Sequence, residues 1–322
     1  MGQVKALKGL IGLGFVVALA APLAVTAAEK VRVGLAAPGY TPYAPVYAAA
    51  DLGYYKAKGL DVELTVYRGG GAAQQALAAK AADMINYFPP GMALAVKKGV
   101  KEKIVAAGGT LTPHGWHLLV RADSSVKSLA DLAGKKIGVT SKASTTDFYA
   151  LWAAHSGGGK AQNIPLGGRG LVPALKSGDI DAAVLWPNLT LRLIEGGTYR
   201  SLVNYGKAMK PNLPEVWVAS QSFIDTKPKA IKGFLEAVMK ATKYMQNNRA
   251  YALKFIKKFT KEKKDSTVAF AYDSITKNAT TDGMMDQATL KRSLGLAALA
   301  GIEDLPPVDQ LFTSRFLPIN PN

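Results

Sequence analysis

Residues 137–152 read IGVTSKASTTDFYALW and join a short apolar strand to a helix through a polar turn. Residues 137–140 predict the strand. Ser144, Thr145 and Thr146 predict the start of the helix, because a hydroxyl oxygen accepts an unpaired N–H group of a first turn. The same hydroxyls, the first-turn N–H groups and the positive end of the helix dipole can also hold a polar or anionic ligand group. An ordinary helix cap and a ligand site are both compatible with this stretch.

The strand–turn–helix unit recurs along the chain. Strands are predicted at residues 31–36, 60–66 and 84–87, with helices between them, and the alternation predicts a mostly parallel sheet covered on both faces. Two tracts also repeat each other in register, and each ends a strand in an aromatic residue followed by a proline. The matched pairs are Gly69-Gly70 with Gly167-Gly168, Asp83 with Asp181, and Phe88-Pro89 with Trp186-Pro187. The repeat predicts two similar βαβαβ lobes that face each other.

The first 28 residues differ in composition from the rest of the chain. Lys5 and Lys8 give a basic start, residues 10–24 are apolar, and residues 25–28 are small. This order predicts a cleavable signal peptide. An uncleaved membrane anchor is the alternative, because residues 10–28 carry no charge and about 18 apolar residues can span a bilayer. Pro22 and the small residues at 25–28 favour cleavage.

The sequence contains no cysteine. In an exported protein this excludes disulfides, thiolate metal sites, a cysteine nucleophile and the acylated cysteine of a lipoprotein. The three histidines, His114, His117 and His155, show no metal-site spacing that we consider specific. We therefore predict a periplasmic protein that is not a lipoprotein and that carries neither a metal nor a cofactor.

The chain of 322 residues has a net charge of +17, and residues 225–265 contain much of the surplus. A basic surplus in a cytosolic protein would indicate nucleic-acid binding. Here the export signal argues against a nucleic-acid partner. The lysines also alternate with an apolar stripe at helical spacing, which predicts the solvated face of packed helices.

Three motifs resemble those of one family. They are GYYKAKGLDV at 53–62, SLADLAGKKIGV at 128–139 and ALKSGDIDAA at 174–183. The chain resembles periplasmic solute-binding proteins of the nitrate, sulfonate, taurine and thiamine-precursor group (NMT1/THI5-like, SsuA-like) from about residue 31 to residue 247. One departure is the segment 157–166, which makes a poor second strand for the second lobe.

The resemblance implies an α/β type II periplasmic binding protein fold, with two βαβ-based lobes joined by two crossover strands and a helical C-terminal part. Residues 1–28 are then the signal peptide, residues 29–118 and 215–322 form lobe 1, and residues 119–214 form lobe 2. The implied partners are a small-molecule ligand and an inner-membrane ABC permease with its ATPase. We expect the protein to be a monomer.

Ligands of open α/β sheets bind beyond the carboxyl ends of the strands, so side chains that leave those ends should line one cleft. The main candidates are Tyr40, Thr41, Tyr43, Phe88, Pro89, Ser144, Thr145, Thr146, Trp186 and Asn188. Further candidates are Arg68, Gly70, His114, Trp116, Arg169 and Trp217. The aromatic residues would supply an apolar wall, and family members use the positions matching 144–146 to hold a polar or anionic group. The alternatives are core packing for Phe88 and Trp186 and a surface role for the arginines.

Three functions remain open at this stage. The first is solute capture for an ABC importer, with a sulfonate, a carboxylate or a thiamine precursor as ligand. The second is an enzyme of the same fold, such as a thiamine pyrimidine synthase, although those enzymes are cytosolic and carry a cysteine-rich motif. The third is a sensory binding protein that presents its ligand to a receptor. The export signal and the paired lobes favour the importer component.

Overall fold

The computed structural model describes Met1 and residues 27–321. The predicted signal peptide, residues 1–28, lies almost wholly outside the described residues. Within the described part, no helix combines the length and the apolar character needed to cross a membrane.

Two five-stranded sheets organise residues 27–321. The strands are β1 (Glu29–Leu35), β2 (Leu60–Val66), β3 (Met84–Tyr87), β4 (Glu102–Ala107), β5 (His117–Arg121), β6 (Lys136–Val139), β7 (Gln162–Pro165), β8 (Ala182–Leu185), β9 (Tyr199–Asn204) and β10 (Val216–Ser220). The first sheet has the order β2-β1-β3-β10-β4, and the second has the order β7-β6-β8-β5-β9. In each sheet the first three strands are parallel and the fourth is antiparallel to both neighbours. The matching orders confirm the predicted α/β class with two similar lobes.

Helices connect the strands and make up most of the C-terminal part, as predicted. They are α1 (Ala44–Asp51), α2 (Tyr54–Ala57), α3 (Gly70–Ala78), α4 (Pro89–Lys97), α5 (Thr145–Ser156), α6 (Gly167–Ser177), α7 (Pro187–Glu195), α8 (Tyr205–Ala208), α9 (Gln221–Thr226), α10 (Pro228–Asn247), α11 (Arg249–Thr260), α12 (Asp265–Asn278), α13 (Gln287–Gly295) and α14 (Val308–Leu311). Short 3-10 helices span Thr41–Tyr43, Ala130–Leu132 and Leu296–Ala300. Pro89 and Pro187 open α4 and α7, because proline is tolerated in a first helical turn.

The chain passes between the sheets twice, once between β4 and β5 and once between β9 and β10. Strand β10 pairs with β3 and β4, so the chain returns to the first sheet close to residue 215, where the second part of lobe 1 was predicted to begin. Strand β5 lies entirely in the second sheet, where His117 pairs with Leu185 and Asn204. The predicted lobe boundary between residues 118 and 119 therefore falls inside a strand, because the sequence does not show where the hydrogen-bonded ladder begins.

Helix α10 illustrates how the apolar pattern positions the C-terminal part. Its apolar residues recur at helical spacing, and Ile231, Phe234 and Met245 are fully buried. Burying one such side chain contributes roughly 1.5–3 kcal/mol. The helix packs against α1 and α2 of the first lobe, while α12 packs against α7 of the second. The C-terminal helices thus contact both lobes.

The weak strand signal at 157–166 corresponds to β7, which spans only four residues at the edge of the second sheet. Its side chains are exposed or half-buried, so they need no β-branched run. Pro165 ends the strand, and an edge position tolerates its missing N–H group.

Candidate ligand-binding cleft

A cavity of about 400 Å³, counted together with its opening to solvent, lies where the carboxyl ends of the two sheets face each other. Both lobes supply its walls. Seven of the ten main candidates from the sequence line it, namely Tyr40, Tyr43, Phe88, Ser144, Thr145, Thr146 and Trp186, and so do Gly70 and Trp116 from the further set. The structure thus brings most of the predicted residues around one space.

The remaining candidates lie elsewhere. Thr41 is buried in its 3-10 helix, and Pro89 and Asn188 lie in the first turns of α4 and α7 without lining the cavity. Trp217 is fully buried and packs edge-to-face on Phe234, with ring centroids 5.1 Å apart, so it belongs to the core between β10 and α10.

Two other groups of candidates lie on the surface or beside the crossovers. Arg68 and Arg169 are exposed and line a separate groove between the lobes. His114 is stacked on Phe270, with ring centroids 5.2 Å apart. None of these three residues lines the cavity.

Aromatic rings form a continuous wall in the cavity. The ring of Tyr40 packs edge-to-face on Tyr43 and on Trp116, with centroid distances of 4.9 Å and 5.6 Å. Trp116 in turn packs on Tyr149, with a centroid distance of 5.6 Å. The Tyr43 hydroxyl donates to Asn86 Oδ1 at 3.1 Å and accepts from the N–H group of Ala36 at 3.3 Å, so its capacity is used. Proline and glycine around Tyr40 and Tyr43 hold the two rings where β1 ends.

Several polar atoms around the cavity are buried without a partner. The Tyr40 hydroxyl, Asn86 Nδ2, Trp116 Nε1 and Trp186 Nε1 lack a hydrogen-bond partner within the described part of the chain. All four side chains are at least nine-tenths buried. Leaving a buried donor unpaired costs about 1–3 kcal/mol, so native proteins seldom do so without a functional reason. These atoms therefore have hydrogen-bonding capacity left around the cavity.

The predicted strand, turn and helix start are all present in the second lobe. Ser144 caps α5 by accepting from the N–H group of Asp147 at 3.3 Å. Thr140, Ser144 and Thr146, which we term the hydroxyl cluster, bond to one another at 2.8–3.1 Å. Ser144 Oγ also donates to the carbonyl of Ser141 at 2.7 Å. The hydroxyl cluster is thus satisfied internally.

The other groups at this helix start are also engaged. Thr145 Oγ1 donates to the carbonyl of Pro214 at 3.0 Å. The carboxylate of Asp147 accepts from the N–H group of Ala143 and from Asn163 Nδ2, both at 2.8 Å. Asp147 therefore points away from the cavity.

Glu215 is a cavity residue that the sequence reasoning missed. It immediately precedes β10, and its carboxyl group is buried between the two crossover segments. Thr110 Oγ1 approaches Glu215 Oε1 at 3.5 Å, and backbone N–H groups of Gly109 and Thr110 also face the carboxyl. The Tyr40 hydroxyl lies beside it, but at a distance or angle outside hydrogen-bond geometry. Burial raises the pKa of Glu215 to about 8, against the opposing effect of these neighbours.

Two glycines make room for this carboxyl group. A Cβ atom on Gly108 would lie 2.3 Å from Glu215 Cγ, and one on Gly109 would lie 3.1 Å from Glu215 Oε1. Any other residue at Gly108 would displace the Glu215 side chain. With Tyr40, Trp116 and Trp186, Glu215 forms a second group of cavity residues, which we term the aromatic–acid wall.

The two lobes touch directly beside the cavity. Tyr87 donates its hydroxyl hydrogen to the carbonyl of Ala143 at 2.8 Å, and the N–H group of Gly71 donates to Ser141 Oγ at 2.9 Å. A Cβ atom on Gly71 would lie 2.6 Å from the carbonyl oxygen of Lys142. The glycine loop at 69–71 therefore serves close approach of the lobes.

Comparison with known proteins gives a consistent result. A family model described as NMT1/THI5 like matches residues 41–252. A protein of Brucella abortus (strain 2308), named as a binding protein, is 30% identical over 218 residues. The match covers 66% of each chain. The chain thus matches just under two thirds of the length of that relative.

Solved structures share the fold at low identity. The alkanesulfonate-binding protein SsuA from Xanthomonas axonopodis pv. citri, bound to MOPS, superposes with a TM-score of 0.71 and 16% identity over 90% of this chain and 96% of that one. A point mutant of DSZB in complex with biphenyl-2-sulfinic acid superposes with a TM-score of 0.61 and 16% identity over 90% and 97%. Several other structures that share the fold are named as binding proteins, two of them as components of ABC-type systems.

Proposed function

Because the chain belongs to the NMT1/THI5-like family, we propose that it is the substrate-binding component of an ABC importer. In this proposal it captures a small polar organic solute between its two lobes and delivers it to an inner-membrane permease with its ATPase. It acts in the periplasm as a monomer after removal of residues 1–28 and needs no cofactor. A sulfonate, a carboxylate and a thiamine precursor are the solute classes to test first.

One observation carries the proposal. Four buried polar side chains from both lobes present unpaired atoms around a single cavity between two similar sheets. A solute that bonded to these atoms would contact both lobes at once, so its binding would favour the closed arrangement. Through this closure an importer can distinguish the solute-bound protein from the free protein.

The enzyme alternative has less support from the cavity. DSZB has a similar fold, but a likeness at 16% identity concerns the fold alone. The described histidines do not line the cavity, and its serine and threonine hydroxyls are engaged in hydrogen bonds. His117 does contact Ser201 at 2.7 Å, but this pair lies between β5 and β9, and burial lowers the pKa of His117 to about 4. We therefore propose no nucleophile for this chain.

The test is a solute screen on the exported, mature protein. Trp116 and Trp186 line the cavity, so intrinsic fluorescence and thermal stability should both respond to a bound solute. A ligand at about 100 times its Kd stabilises a protein by roughly 2.7 kcal/mol. The proposal predicts a stabilising solute that is recovered unchanged. Chemical conversion of that solute by the protein would contradict it.

A sensory role predicts the same binding behaviour and differs only in the membrane partner. Reconstitution with a permease and its ATPase separates the two roles. Solute-dependent stimulation of ATP hydrolysis by the bound protein would support the importer role, and its absence with a competent permease would favour a sensor.

A further inference from the structure

The C-terminal helices carry a basic surface that solute capture in the cleft does not use. Residues 225–265 contain twelve Lys or Arg and four Asp or Glu, so they hold a surplus of eight positive charges within a net charge of +17. Most of these basic side chains are exposed, and none of them lines the cavity. A charge excess concentrated on one part of a fold attracts anionic partners. This surface is therefore a candidate interaction site.

Helix α11 also presents a row of aromatic rings. Tyr251, Phe255 and Phe259 recur every fourth residue, so they share one side of the helix. Their rings stack in order along the helix, with centroid distances of 5.7 Å and 6.4 Å. Tyr244 of α10 packs on Tyr251 with a centroid distance of 5.2 Å, and Tyr47 of α1 packs on Phe259 with a centroid distance of 5.0 Å. We term these five residues the aromatic row.

The aromatic row lies at the surface. All five of its side chains are half-buried, whereas Ala252 and Ile256, which face the core from the same helix, are fully buried. The rings pack on one another where α11 contacts α1 and α10, and part of each ring remains in solvent. Tyrosine and other aromatic rings in such half-exposed positions are typical of interfaces, including the membrane interface.

Two lysines stand beside the row on the exposed side of α11. Lys254 follows Tyr251 by three residues, and Lys258 follows Phe255 by three residues, a spacing that places side chains next to each other on a helix. Both lysines are exposed, and neither forms an ion pair within residues 27–321. They also lie four residues apart, where like charges destabilise a helix. Helix stability therefore does not explain this pair of lysines.

The charges at the α10 end of the row are also mainly positive. Lys240 lies one helical turn before Tyr244, and the exposed Lys243 directly precedes it. One carboxylate contacts the row, because Asp51 accepts a hydrogen bond from the Tyr251 hydroxyl at 2.9 Å. Four lysines beside one aspartate leave a surplus of positive charge around the half-exposed rings.

From these contacts we propose that the aromatic row, together with Lys240, Lys243, Lys254 and Lys258, binds the surface of a bilayer that carries anionic phosphate head groups. The ammonium groups contact the phosphates, and the rings lie at the level of the head groups, where amphipathic aromatic rings are enriched. A bilayer fits this surface better than a soluble polyanion, because the rings need an apolar contact that a polyanion does not supply.

The number of lysines sets the strength of this binding. Each lysine near an anionic membrane surface strengthens binding by about fivefold, so four lysines give a Kd on the order of 1 mM in accessible lipid. The protein therefore exchanges between the membrane surface and solution, and its concentration at the membrane rises. This contact goes beyond the proposed function, because it requires neither the cleft nor its solute.

The first test measures how the mature protein sediments with vesicles. Vesicles of phosphatidylcholine alone are compared with vesicles of phosphatidylcholine and phosphatidylglycerol in equal parts. We expect binding to the mixed vesicles and not to phosphatidylcholine alone. We also expect that binding to be lost at about 1 M salt, where the Debye length falls to about 3 Å.

Two matched double variants test the location of the surface. Lys254→Glu with Lys258→Glu should weaken binding to the mixed vesicles by at least about tenfold, because each lysine contributes about fivefold. Lys98→Glu with Lys101→Glu changes the net charge by the same amount at exposed residues between α4 and β4. This second pair should weaken binding by less than about twofold, since screening removes the effect of distant charges.

A reporter ring tests the contact between the row and the lipid. Phe255→Trp places an indole in the aromatic row, and brominated phosphatidylcholine in the mixed vesicles should quench its emission beyond that of the unaltered protein. A tryptophan at the level of the head groups lies close to such lipids. The charge variants alter exposed side chains, so they test the surface even if Phe255→Trp does not fold.

The outcomes that overturn the proposal are specific. They are a failure to bind the mixed vesicles, equal binding to phosphatidylcholine alone, and equal effects of the two double variants. Binding without added quenching of a folded Phe255→Trp variant would indicate a purely electrostatic contact and would also overturn it. None of these results changes the outcome of the solute screen, so the membrane contact and the proposed function can fail separately.

Discussion

The hydroxyl cluster and the aromatic–acid wall face the same cavity but differ in how their polar atoms are satisfied. The hydroxyls of Thr140, Ser144 and Thr146 bond to one another and to nearby backbone groups. In the aromatic–acid wall, the Trp116 and Trp186 N–H groups have no partner in the described part of the chain. A paired polar group stabilises the fold, whereas an unpaired buried one has capacity left for a ligand. We therefore propose that the indole N–H groups of the wall bind the solute and that the hydroxyl cluster stabilises the fold.

The largest expected effect concerns Glu215 and the pH dependence of stability. Its pKa is raised from 4.5 to about 8 on folding, so the unfolded chain loses its proton first as the pH rises. The contribution of Glu215 to the free energy of unfolding is complete below pH 4.5. It is lost between pH 4.5 and about pH 8, at up to about 1.4 kcal/mol per pH unit. Denaturant unfolding at several pH values should show that Glu215→Gln flattens this slope.

The hydroxyl cluster supplies the control for that experiment. Ser144→Ala should leave the slope unchanged, because serine does not titrate in this range. An unaltered slope in Glu215→Gln would show that the carboxyl group is not buried as described, and the contrast between the two regions would lose its main support.

A smaller effect is expected for the unpaired indole groups. Trp186→Phe removes an N–H group without a partner, so solute affinity should fall by about 1 kcal/mol while the free energy of unfolding changes little. Trp217→Phe is the matched variant, because Trp217 is equally buried but packs in the core on Phe234. It should lower stability and leave affinity unchanged, as calorimetry and thermal unfolding can check. The opposite pattern would place the ligand elsewhere.

A substitution in the hydroxyl cluster should lower the stability of the protein and leave its affinity for the solute almost unchanged. Ser144→Ala removes the cap of α5, so the free energy of unfolding should fall by about 1 kcal/mol. Affinity for the solute should stay within about twofold, because Ser144 Oγ already donates to Ser141. The sequence alone suggests a loss of affinity for this variant. Such a loss in a titration would restore a ligand role for the helix start.

The smallest effect is expected outside both regions. Arg68→Ala and Arg169→Ala alter exposed side chains of the separate groove. Affinity should remain within about twofold in each variant, since surface substitutions usually have little effect. A strong loss in a direct binding measurement would extend the recognition site beyond the aromatic–acid wall and into that groove.

Local patterns in the sequence predicted the fold and most of the residues around the cavity. Strand–helix alternation and the repeated aromatic–proline pairs depend on neighbouring residues, so the two sheets and the positions of Phe88 and Trp186 could be expected. The place of Tyr40 and Tyr43 followed from the prolines and glycine that exclude regular structure there.

Features that depend on distant segments could not be predicted in this way. Glu215 reads as an ordinary charged residue before a strand, and its burial requires Gly108 and Gly109 from the other crossover. Arg68 is a cleft candidate from the sequence, but the glycine loop that it adjoins brings the two lobes into contact instead. The pairing of the hydroxyl cluster likewise depends on how the turn at Ser141 folds back.

The most direct test of the account compares the two regions with one ligand. The solute found by the screen is titrated into the mature protein, Glu215→Gln and Ser144→Ala under identical conditions. We predict a loss of affinity of at least about tenfold for Glu215→Gln and of less than about twofold for Ser144→Ala. A large loss for Ser144→Ala together with unchanged affinity for Glu215→Gln would contradict the assignment of recognition to the aromatic–acid wall.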